Sequence, residues 1–347
     1  MLNQHIITYY NEIKNICDFP IDCKQGLYLS LLKCLGENTS YTGARWPWIF
    51  YYKPRMDIFD IKANKLIDKV NLLTKESIKD LFNVDLEYYY FDDYVDVMEF
   101  IRHNILNDNP VIINTDPYYI PYHYEHIYSH KHGLHATLLM GYDDNKEEYC
   151  CFSVTPEYKG FISYCDLSKS VNSNSVLWCA ILKKSKDIRI KKSDKIIFDE
   201  YQKNIHEVMN EYENSNTRYL ESNMKIYTKD ILSVFSECID SNDDKTYENY
   251  KGLCDGRWGW EINVNVSLFK KYMLTDYASH RYEDIYNTLR FIEEYEKKWD
   301  LAYRKMFKML RRKPKDIKKE INLVKRDFIS LIDYEKTILN KLFILGV

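Results

Sequence analysis

Apolar residues in the first half of the chain recur at two spacings. Ile6, Tyr10, Ile13 and Cys17 stand at helical intervals and predict a helix over 3–17. Leu27, Leu31, Cys34 and Leu35 repeat that interval after a turn at 20–22. This second run opens at Cys23 and stops at Gly36, a common helix end. Helical spacing returns over 62–82 and 93–107. Shorter apolar runs then predict strands at 111–115, 134–142, 148–154, 160–164 and 176–182. Early helices followed by consecutive strands predict an α+β domain with an antiparallel sheet.

The second half reads differently. The charged stretch 183–195 predicts a linker, which divides the chain into a domain over 1–187 and a mostly helical one over 188–347. Ile197, Tyr201, Ile205, Val208 and Tyr212 form one helical stripe. The Gly-rich break at 252–263 lacks the strand-then-helix context of a phosphate-binding loop. Two apolar stripes, over 282–310 and 317–342, predict a helical hairpin that turns at Pro314.

Composition narrows the classes. A net charge of −3 argues against a nucleic-acid binder. The charge is uneven: 297–347 holds 15 Lys and Arg against 6 Asp and Glu, a net of +9, which leaves −12 for the rest. The nine cysteines show no spaced framework and read as reduced thiols. No apolar run has the length of a membrane span, and the start lacks a signal-peptide core. A cytoplasmic protein is the expectation.

The chemistry concentrates in DPYYIPYHYEHIYSHKHGLHATLLMGYDD, 116–144. Five of the nine histidines fall between 123 and 135, which makes proton transfer the first chemistry to consider. His135 opens a strand, whose alternation sets it on one face with Thr137 and Leu139. Its local rivals are His130 and His132. Cys23 opens a helix, where the positive end of the macrodipole favours a thiolate. Cys17 is its rival, and Cys34 belongs to the apolar helix face. An early cysteine on a helix and a later histidine on a strand is the layout of papain-like enzymes. His123, His126 and His130 have a spacing open to a metal site, but Pro121 and the tyrosines predict a loop, and no metal is expected. The aromatic stretch with Trp46 and Trp48 is either core packing or a substrate wall.

Cys23 together with DPYYIPY and HATLLMGYDD resembles the N-terminal domain of butirosin-H-type acyltransferases of antibiotic biosynthesis. These are relatives of papain and of C39 peptidases. Similar cysteine-protease-like enzymes form amide bonds in non-ribosomal pathways of the closthioamide type. The resemblance covers roughly 15–180 and implies a papain-like (C39-like) fold with an N-terminal nucleophile helix. It implies that Cys23 takes an acyl group from the phosphopantetheine thioester of an acyl or peptidyl carrier protein and passes it to an amine. The enzyme itself would bind no cofactor, nucleic acid or membrane. His135 would be the base. The family's Asp on the next strand falls at Ser153, a departure, since serine orients an imidazole without supplying charge. Asp116 is the other candidate for the third member, or shapes the acyl pocket with Tyr118, Tyr119 and Tyr122. A thiol hydrolase on the same pair is the alternative, and a non-catalytic binding protein a third reading.

Overall fold

The computed structural model describes residues 4–16, 22–43, 73–186 and 284–309, together with single positions elsewhere in the second half. The chain divides into two compact units, Met1–Thr39 with Leu72–Lys192, and Ser40–Asn71 with Ser193–Val347.

The first unit is built on one antiparallel sheet. Its strands are β1 (Gln4–Ile6), β2 (Val84–Phe91), β3 (Val111–Thr115), β4 (His135–Asp143), β5 (Glu148–Val154), β6 (Glu157–Ser163) and β7 (Leu177–Lys184). They run in the order β2-β7-β3-β4-β5-β6, and β1 pairs with β4. β4 is buried at all nine residues. Along one edge it pairs first with β3, over His135 to Leu139, and then with β1, over Gly141 to Asp143. β1 therefore prolongs β3. The close approach demands Gly141, where a Cβ would sit 2.6 Å from the His5 carbonyl oxygen.

Four helices flank this sheet: α1 (Cys23–Cys34), α2 (Lys75–Phe82), α3 (Tyr94–Leu106) and α4 (Tyr164–Asn172). Each has a side-chain N-cap, from Asp22, Thr74, Asp93 and Ser163 respectively. α1 turns out of its last turn through Gly36 at φ +83°, a conformation that suits glycine.

The cross-strand register tells which face each helix covers. Tyr88, Ala180, Ile112, Leu138 and Phe152 are successive partners across the sheet and share one face. α1 lies on that face: the Tyr28 and Tyr88 hydroxyls share a short hydrogen bond, and Lys24 lies over the Tyr88 and Trp178 rings. The opposite face carries Tyr89, Ile113, Thr137, Leu139 and Tyr142. There Phe100 of α3 packs on Tyr89, and Arg102 lies over Tyr142. α4 packs near α3, β3 and β6. Helices thus cover both faces of the antiparallel sheet.

Three expectations change. The segment predicted as a helix over 3–17 is β1 followed by a short 3-10 turn at Tyr10–Glu12. Its apolar spacing is equally met by burying Ile7 and Ile13 beside the sheet, and pairing with β4 decides the outcome. β2 is an addition to the expected strands, because VDLEYYYF lacks clean alternation, yet it pairs with β7 along its full length. α4 is an added helix that follows β6 directly. Of the run predicted over 62–82, Lys75–Phe82 is helical and 62–72 lies outside the described residues.

In the second unit the described residues centre on α5 (Asp284–Met309), which buries Leu289, Ile292, Tyr295, Trp299 and Ala302. Its side chains meet later ones in reversed order: Lys341 lies over Phe291, Lys298 over Tyr334, and Lys305 pairs with Asp327 at 2.5 Å. The basic turn at 311–315 lies outside the described residues.

Candidate active site

Cys23 occupies the first helical position of α1. The Asp22 carboxylate accepts the backbone N–H groups of Lys24 and Gln25, both at 3.1 Å. The Cys23 N–H is the donor of this turn that the carboxylate leaves free. The thiol itself receives backbone hydrogen bonds from Ala136 and Lys24. Burial and the Asp22 charge outweigh these and push the thiol up to about 11. The helix terminus therefore does not deliver the thiolate that its dipole predicts; the capping carboxylate answers the same partial charge, and the sulfur is poorly hydrated.

His135 is the first residue of β4 and is 5% exposed. Its Nε2 lies 3.2 Å from Ser153 Oγ, and its ring meets His123 edge-on with centroids 5.1 Å apart. Burial first, then His123, pushes His135 down to about 3, so the ring is neutral at physiological pH. The nitrogen that meets Ser153 is Nε2, where a triad of the usual kind uses Nδ1. Nδ1 is thereby left for another partner.

His135 and Thr137 lie on the sheet face opposite α1. Alternation along β4 thus points the imidazole away from the body of the nucleophile helix. What links the two is the backbone at the end of the strand. There the Cys23 sulfur sits on the N–H of Ala136, the residue that follows His135. The ladder between β4 and β5 starts at Leu138 and Phe152, and before it His135 reaches β5 through the contact of its Nε2 with Ser153.

Asp116 does not touch His135. Its partner is His132, whose Nδ1 lies 2.7 Å from Asp116 Oδ2. Tyr118 stacks on the His132 ring at 4.2 Å, and Tyr119 packs edge-on against Tyr118. Tyr122 stacks on Tyr158 at 4.1 Å, and its hydroxyl bonds Thr137 Oγ1, which in turn meets Thr115 Oγ1. Trp46, Trp48 and Cys17 lie outside the described residues. Lys24, Tyr28, Tyr88 and Trp178, which no motif in the sequence marks, form the aromatic surroundings of the Cys23 turn. The signal for them was the tyrosine run of β2.

His123, His126 and His130 lie in a loop of tight turns. Among the described residues no group of three or more His, Cys, Asp or Glu is placed to hold a metal ion. Among the same residues no helix is long and apolar enough to cross a membrane.

No curated protein matches this chain. A family does: the one described as butirosin biosynthesis protein H, N-terminal, matches residues 23–152. The match opens on Cys23, contains Asp116, Tyr118, Tyr119, Tyr122 and His135, and stops one residue short of Ser153. By this match the 23–152 region, from the cysteine that opens α1 to the strand beside His135, is similar to the butirosin biosynthesis protein H N-terminal family.

Proposed function

We propose that this protein is a cysteine-dependent acyltransferase of antibiotic or non-ribosomal peptide biosynthesis, acting in the cytoplasm. It takes an acyl or peptidyl group from the phosphopantetheine thioester of a carrier protein onto Cys23 and transfers it to an amine. The carrying observation is the Cys23 thiol set against the backbone beside His135, within a region of the butirosin H family.

At rest the pair is neutral. Burial raises the thiol and lowers the imidazole, so each favours its neutral form and full proton transfer between them at rest is uphill. The proton therefore leaves sulfur as sulfur attacks the thioester carbon, not before. His135 Nδ1 is the acceptor, with Nε2–H donated to Ser153 Oγ. The Cys23 N–H supports the oxyanion. Exchange of one thioester for another is nearly neutral in free energy, and attack by an amine then runs strongly downhill. Tyr118, Tyr119 and Tyr122 are the proposed walls that keep water from the acyl-enzyme. A domain over 1–187 carries this chemistry, and the remainder, mostly helical, serves the carrier.

Intact mass spectrometry after incubation with acyl-loaded carrier proteins tests the proposal. An acyl adduct on Cys23 that an amine discharges as an amide supports it. Discharge to the free acid, unaffected by amines, makes the protein a thiol hydrolase instead. No adduct and no turnover with any loaded carrier leaves a binding protein on this fold.

A further inference from the structure

His132 is held on two sides although 64% of its side chain is exposed. Its edge is fixed by Asp116 and its face by Tyr118, with rings 10° from parallel. Asp116 is itself fully satisfied. Oδ1 accepts the N–H of Tyr118 at 3.0 Å and of Gly133 at 3.1 Å, while Oδ2 accepts Ser173 Oγ–H at 3.0 Å and His132 Nδ1–H at 2.7 Å. Burial alone would raise this carboxyl, but the hydrogen bonds, that of His132 foremost, hold it below its ordinary value.

An ionised carboxylate only accepts. In the neutral ring the His132 proton therefore sits on Nδ1, which leaves the lone pair on Nε2, at the ring edge away from Asp116. Without His132, Asp116 would keep three other donors, so holding this loop does not require an imidazole. Fixing an exposed ring costs rotamer freedom. What the arrangement provides in return is an oriented, exposed Nε2, the Asp–His half of a catalytic triad with no nucleophile bonded to it among the described residues.

The dyad stands at the same end of the sheet as Cys23. Thr115 is the register partner of His135, and Asp116 follows it directly. His135 lacks what the second half of the reaction needs. An alkylamine arrives as its ammonium form, and its proton has to reach solvent, from which His135 is shut off.

We propose that His132, oriented by Asp116, is the general base that receives the proton of the incoming amine, a role separate from that of His135. This rests on the acyltransferase reading above. The ammonium gives one proton to His132 Nε2. The freed nitrogen lone pair forms the C–N bond to the thioester carbon. The C–S bond breaks on collapse, and the Cys23 sulfur, leaving with its electron pair, takes the N–H proton of the intermediate by way of His135. The His132 imidazolium then releases its proton to water.

Single-turnover measurements on the full chain separate the two halves. In His132→Gln, acylation of Cys23 by a loaded carrier proceeds within about twofold of the wild-type rate. Discharge by the amine falls roughly a hundredfold, the scale for losing a positioned base. Added imidazole restores discharge in His132→Gly, which a merely structural role would not allow. Wild-type discharge in His132→Gln, or equal losses in both halves, overturns the proposal. A wild-type protein that never acylates Cys23 overturns the acyltransferase reading instead. Independently of turnover, diethyl pyrocarbonate should modify His132 ahead of His126 and His130, and lose that preference in Asp116→Asn. Equal rates at the three histidines in the wild type overturn the dyad.

Discussion

His135 turns its Nε2, 3.2 Å away, toward a serine hydroxyl at Ser153 and not toward a carboxylate. A carboxylate accepts only, and would fix the imidazole as the Nε2–H tautomer. A hydroxyl both donates and accepts, so Ser153 permits either tautomer, and only one leaves Nδ1 free to take a proton. His135→Ala should therefore lower turnover at least about a hundredfold, whereas Ser153→Ala should cost less, because it removes orientation and no charge. Steady-state rates with a loaded carrier check this. A dispensable His135 beside an essential His130 would redraw the site.

Cys23→Ala should abolish acyl transfer while the circular dichroism spectrum is unchanged. Because burial pushes the thiol up to about 11, alkylation of Cys23 by iodoacetamide should keep accelerating, about tenfold per pH unit, through pH 9 and 10. A plateau near pH 8.5 would show an ordinary thiol.

The same burial links folding to pH. His135 stays neutral in the folded protein down to about 3, whereas the unfolded chain takes the proton near 6.5. Between those values the unfolded state binds more protons, so stability rises with pH and is lost as pH falls. The contribution reaches about 5 kcal/mol at the acid end. In urea titrations, wild type should lose more stability than His135→Gln between pH 7 and pH 4.5, and equal losses would show that His135 is not the group responsible.

Gly141→Ala should destabilise the first unit by about 1–3 kcal/mol, since the added methyl meets the His5 carbonyl oxygen and the Ile6 Cα, at 2.6 and 2.9 Å. Backbone atoms cannot swing aside, so β1 must leave β4. Thermal unfolding, with amide exchange at Ile6 and Ile7, reads both effects.

The charge excess near the C-terminus gives a prediction from sequence. Reversing Arg311, Arg312 and Lys313 to Glu should raise the apparent KM for an acidic carrier protein, more at low salt than at high. The rate with an N-acetylcysteamine thioester should not change. Equal losses with both donors would assign the segment to folding instead.

Much of this is legible in the residues. The α1 boundary at Cys23, β3 and β5 follow from apolar runs ended by a cap, a glycine or an Asp turn. β4 begins one residue later than its apolar run suggests, with His135 itself as the first residue. What local pattern does not carry is partnership. Whether residues 4–6 coil or pair depends on a strand more than a hundred residues away. Which histidine Asp116 holds depends on the turns between them, so spacing cannot choose between His132 and His135. The sheet face of His135 follows from alternation, but the side on which α1 packs does not. The thiol's poor acidity is hidden too, because burial is a property of the fold and the helix dipole a property of the segment.

The middle of α1 is enclosed, with every residue from Gly26 to Leu32 buried. The loop that carries Tyr124, His126, Tyr128, His130 and His132 is open to solvent. A substitution in the helix disturbs the core on every side, while one in the loop meets mostly water. The sulfur and the loop histidines are thus held by separate parts of the chain, one enclosed and one open. On the acyltransferase reading, Tyr124, His126, Tyr128 and His130 are positions where change would leave both the nucleophile helix and the His132–Asp116 pair intact.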